Sequence, residues 1–63
     1  MYAEIGDKIR IIYMKGEPNQ TGKVGIVKTI DSFGQLHGTW SGLAVIPDMD
    51  EFEILEMACD VQG

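Results

Sequence analysis

A chain of 63 residues with a net charge of −5 and one cysteine makes one small domain, which buries only about 60% of the surface its unfolded form exposes. That leaves little depth for a catalytic cleft, excludes a fold stapled by an intramolecular disulfide or a cysteine-rich zinc site, and disfavours general nucleic-acid binding, which depends on bases meeting phosphate. No window reaches the roughly 18 apolar residues of a membrane span, and "MYAEIGDKIR" lacks the basic region and apolar run of a secretory signal, so the expected location is the cytosol with no membrane partner.

In chain order, "DKIRIIY" alternates, which sets Ile9, Ile11 and Tyr13 on one face of a first strand over residues 7–13 and Lys8, Arg10 and Ile12 on the other. "MKGEPNQTG" gathers Gly16, Pro18, Asn19 and Gly22 into a long first loop. "KVGIVKTI" is rich in β-branched residues and predicts a second strand over residues 24–30, closed by "DSFG", where Asp31 and Gly34 suit a tight turn. "QLHGTW" alternates again as a third strand, with Leu36, Gly38 and Trp40 on one face and Gln35, His37 and Thr39 on the other. "SG" then turns the chain into a fourth strand, "LAVI".

Pro47 cannot donate to a ladder and ends that strand. "DMDE" can make one helical turn, and "FEIL" resumes alternation as a short fifth strand. The stretch "DEFEILEMACDV" could instead run on as an amphipathic helix, but Phe52 and Ile54 fit period two at least as well as 3.6. The pattern describes an all-β chain: a small five-stranded SH3-like barrel with a short helical turn before the last strand, spanning residues 1–56, with a loosely ordered tail over 57–63.

The runs "GIVKTIDSFGQLHGTW" and "LAVIPDMDEF" resemble a small family of uncharacterised SH3-like domains carried by phages and conjugative elements. Gly25, Val27, Ile30, Asp31, Gly34, Leu36, His37, Trp40, Leu43, Ile46, Pro47, Asp50 and Phe52 match its pattern in order, over about residues 6–55. The resemblance implies the fold and a phage or mobile-element origin; the family carries no assigned activity. Two positions depart from it. A longer polar loop after the tryptophan is reduced to "SG", and a valine is replaced by Gly38, which leaves beside Trp40 either a recess or room for a large side chain such as Met14 or Met57.

Charge is divided along the chain. Residues 1–30 hold all five bases, Lys8, Arg10, Lys15, Lys23 and Lys28, against three acids, whereas residues 31–63 hold seven acids and no base. Asp48, Asp50, Glu51, Glu53 and Glu56 crowd nine positions and are either a solvated face or a patch that attracts a basic partner. Trp40 shares a face with Leu36, which favours packing; the alternative is an exposed ring beside acids that grips a cationic or proline-rich peptide, with Tyr13 and Tyr2 extending the aromatic patch.

The reading that follows is a non-enzymatic acidic binding module engaging a host or mobile-element protein through Trp40, Tyr13, Asp48, Asp50, Glu51 and Glu53. One concrete form is an inhibitor that occupies the basic channel of a defence nuclease. The alternative is a weak nucleic-acid or nucleotide binder using Lys8, Arg10, Lys23 and Lys28, with Tyr13 or Trp40 stacking on a base. A third is a homodimer or small homo-oligomer built by pairing strand edges.

No cofactor or metal is expected. "DMDE" lacks the glycine and terminal glutamate of a calcium loop, and "TGKVG" lacks the ending and following helix of a phosphate loop. His37 faces outward without a nucleophile partner, and Cys59 has no neighbour to lower its pKa, so no catalytic pair is expected.

Overall fold

The computed structural model describes residues 2–58. They form one antiparallel sheet of four strands, β1 (Lys8–Tyr13), β2 (Val24–Ile30), β3 (Leu36–Gly38) and β4 (Glu51–Glu56), in the order β3-β2-β1-β4. The first two strands lie where the alternation set them, and the last is a strand rather than a helix. Among the described residues no helix is long and apolar enough to cross a membrane. Of the expected tail, residues 59–63 lie outside the described residues, but Ala58 is tied down: its N–H donates to Asp7 Oδ1 at 2.7 Å.

Ile9, Ile11, Val27, Leu36, Val45 and Phe52 are buried and pack with Ala3, Met14 and Trp40 into one core. Three register shifts decide which side chains reach it. Between β1 and β4, Ile11 pairs with Phe52 and Tyr13 with Glu51, so Ile12 is an extra residue; nearer the strand's start, Leu55 is extra on β4. Between β2 and β3, Lys28 is extra.

An inserted residue inverts the in-out parity beyond it and bends the strand. Hence Met14, and not Tyr13, takes the inward place after Ile11, whereas Ile12 and Tyr13 are both exposed. The expected face of Ile9, Ile11 and Tyr13 is corrected on that ground.

The fourth strand expected over Leu43–Ile46 is reduced to a single bridge, Leu36 with Val45, closed by hydrogen bonds of 2.8 and 2.9 Å. Side chains take the flanking backbone groups. The Trp40 indole N–H donates to the Leu43 carbonyl at 2.9 Å, the Ile46 N–H donates to Asp50 Oδ2 at 2.8 Å, and Pro47 has no N–H to offer. In place of the helical turn expected over "DMDE", a hydrogen-bonded turn over 47–49 follows, with the N–H groups of Met49 and Asp50 both donating to the Ile46 carbonyl.

The β2–β3 hairpin is built by Asp31. Its Oδ1 accepts from the N–H groups of Phe33 and Gln35, both at 2.9 Å, and Gly34 adopts φ +84°, where a glycine is favoured. The long first loop carries a single 3-10 turn, Pro18–Gln20. It rejoins the sheet where Gly22 N–H donates to the Ile11 carbonyl at 2.7 Å.

Candidate protein-binding surface

Trp40 is only 3% exposed, and its ring occupies the space that a side chain at Gly38 would need. The recess beside Gly38 is therefore filled by Trp40 itself, not by Met14 or Met57. With the indole N–H also bound to Leu43, Trp40 is a core residue rather than a gripping surface, which corrects the exposed-ring reading.

Asp50 is likewise no surface acid. At 6% exposed it accepts from the Lys15 N–H at 3.1 Å and from the Ile46 N–H at 2.8 Å, fastening the first loop to the chain before Pro47. A buried carboxylate satisfied by two backbone donors holds loops together and has little reach for a partner.

Glu53 lies opposite Arg10 in the β1–β4 register and pairs with it at 3.3 Å, both side chains about half exposed. Of the acids named for partner binding, Asp48 and Glu51 remain exposed and form no ion pair with another described residue. Glu51 sits opposite Tyr13, which is 48% exposed, so this aromatic and this acid do share one end of the sheet.

The bases of the alternative reading are dispersed in their engagements. Arg10 is neutralised by Glu53, the Lys23 ammonium donates to the Ser41 carbonyl at 2.7 Å, Lys8 is half-buried, and Lys28 is exposed at the β2 bulge. His37 points outward as expected, and its Nε2 lies 2.9 Å from Asp31 Oδ2. That contact, followed by the Gln35 N–H, holds the Asp31 carboxyl below its ordinary value of 3.8.

The surface around Pro47 gathers features that the strand pattern did not. One hollow, of about 370 Å³, is lined by Tyr2, Ala3, Ile30, Phe33, Gly34, Leu36, Ile46, Pro47 and Asp48. Another, of about 350 Å³, is lined by Ile12, Pro47, Asp50, Glu51 and Phe52, so Pro47 is common to both. Tyr2 and Phe33 are 89% and 84% exposed. Phe33 escaped the sequence reading, although a large apolar residue among the polar and glycine positions of "DSFG" was the signal for it.

The result is a small all-β domain with apolar hollows around Pro47 and, among the described residues, two carboxylates beside them that form no ion pair. A family model for a domain of unknown function (DUF4314) matches residues 2–55, and the chain belongs to that family. No curated protein and no solved structure matches the chain.

Proposed function

We propose that this chain is a non-enzymatic binding module that engages a basic segment of a protein partner at the surface around Pro47. One observation carries the reading: Asp48 and Glu51 are exposed acids, in no ion pair with another described residue, beside two apolar hollows that share Pro47. A segment with both basic and apolar side chains matches such a surface in charge and in hydrophobicity. Tyr13 and Ile12 continue the apolar ground beside Glu51. Asp50 supports this surface from within, Trp40 stays in the core, and Glu53 is shared with Arg10.

The matching fold reading is an SH3-like barrel, with Leu43–Ile46 as a fifth strand reduced to one bridge. The matching origin is a phage or mobile element, with a host or element protein as partner; a defence nuclease with a basic channel is one concrete form. The cytosol is the compartment in which such a partner would be met. The oligonucleotide reading is weaker, because Arg10 and Lys23 are engaged by Glu53 and by Ser41.

The test is affinity capture from host lysate in modest salt, with the wild-type chain and with a double variant, Asp48→Asn and Glu51→Gln, shown by circular dichroism to keep its fold. Wild type should retain a protein that the variant loses, and raised salt should release it. Equal capture by both would sink the acidic-surface reading, as would capture of nucleic acid alone.

A further inference from the structure

The hollow bounded by Tyr2, Phe33 and Pro47 has a composition that specifies its occupant. Its floor is aliphatic, from Ile30, Leu36 and Ile46. Two aromatic rings stand at its rim, nearly fully exposed, and its one charged lining residue among those described is the carboxylate of Asp48. At about 370 Å³ it lies at the small end of the range for ligand pockets, roughly 300–1,000 Å³, so it suits one side chain better than a whole cofactor.

An apolar floor asks for a hydrocarbon stem, while a carboxylate and aromatic faces ask for a cation. Arginine and lysine combine both, but the flat guanidinium stacks on aromatic rings and is less strongly hydrated than an ammonium, so it loses less on entering a part-apolar site. We propose that this hollow is the socket for an arginine side chain presented by the partner segment. Its stem would lie on Ile30 and Ile46, and its guanidinium would reach Asp48 between the rings of Tyr2 and Phe33. The inference deepens the binding-module reading and rests on it for the partner, yet the socket can be examined without one.

The fold explains why this hollow carries exposed aromatics. Phe33 is held out at the hairpin tip because its own N–H is bound by Asp31 Oδ1, and the hairpin is fastened further by Gln35 on the same oxygen. Neither Phe33 nor Tyr2 belongs to the buried core, so their rings are available at little cost to packing.

The experiment is an amide-resonance titration of the full chain with blocked heptapeptides that differ at one central position: arginine, lysine, citrulline or leucine. Citrulline keeps the shape of arginine and removes its charge. At millimolar peptide, the arginine form should shift Ile30, Phe33, Gly34, Ile46 and Asp48, and the citrulline and leucine forms should bind at least about fivefold more weakly, as expected for loss of a cation–π and carboxylate contact. Phe33→Ala and Asp48→Asn should each weaken the arginine peptide, whereas Glu51→Gln, outside this hollow, should not.

Equal shifts with citrulline or leucine, or no shifts at these residues with arginine, would overturn the socket. Loss of lysate capture in the Glu51→Gln variant, with arginine-peptide binding intact, would separate the broader acidic surface from this pocket. Retention of capture by a Phe33→Ala variant would leave the binding module standing without the socket.

Discussion

The ring of Trp40 lies against Gly38, in the volume that a side chain at position 38 would fill, and the Ile26 carbonyl oxygen crowds the same space. The glycine thus lets the chain turn its tryptophan back onto its own strand. Gly38→Ala, and more so Gly38→Val, should destabilise the fold by about 1–3 kcal/mol, the usual cost of overpacking. Urea unfolding measures it, and an unchanged midpoint would show that the ring has somewhere else to go. A red shift of tryptophan emission should accompany the loss.

Trp40 in the core also makes a statement about fluorescence. Its emission should be blue-shifted and poorly quenched by iodide. Trp40→Ala should cost about 3–5 kcal/mol, comparable to the whole stability of many small domains. Strong quenching of the native chain would place the ring at the surface after all.

Asp48 and Asp50 are two residues apart and opposite in role. Asp50→Asn puts an amide N–H₂ in place of an oxygen that accepts from a backbone N–H, and should cost about 1–3 kcal/mol. Asp48→Asn, at an exposed position, should change stability by no more than about 0.5 kcal/mol. Chemical denaturation of the two variants side by side should separate them clearly; equal effects would mean that the buried carboxylate is not fastening the first loop.

The acid limb of stability should carry a contribution from Asp31. The contact with His37 and the backbone donors of Gln35 and Phe33 lower its pKa in the folded chain from 3.8. A carboxylate with a lowered folded pKa stabilises above its unfolded value, and that contribution disappears as pH falls through the folded one. The stability difference between wild type and Asp31→Asn should therefore be full at pH 5 and shrink below about pH 3.8. A difference that stayed constant to strongly acid pH would contradict this.

Arg10 and Glu53 meet across β1 and β4, joining the basic half of the chain to the acidic half. Because both side chains are about half exposed, the pair should contribute no more than about 1 kcal/mol. Glu53→Gln should accordingly lower the urea midpoint slightly at low salt and hardly at all at high salt. A large, salt-independent loss would mean that Glu53 supports the fold in some other way.

Local pattern was a good guide to where strands and turns lie along the chain. The alternation of "DKIRIIY" located β1, β-branched residues located β2, Asp31 and Gly34 marked the hairpin, and Pro47 marked the end of the run before β4. It failed where one inserted residue changed parity, as at Ile12, and where side chains competed for a strand's backbone groups, as Trp40 and Asp50 do on either side of Val45. Of the surface, Asp48 and Glu51 were legible as candidate acids, whereas the exposure of Tyr13 followed only from the bulge at Ile12. Phe33 and the hollow at Pro47 were not legible, because residues from the first, third, fourth and fifth decades of the chain meet there.

The sequence by itself determined the all-β character, the positions of the turns and the separation of charge, since each depends on residues close together in the chain. Tertiary structure alone decided that Trp40 and Asp50 are inside, that Arg10 quenches Glu53, and that Tyr2, Phe33, Pro47 and Asp48 share one hollow. Burial and neutralisation depend on which distant segment arrives opposite a residue, and here the β1–β4 register and the bulges set that.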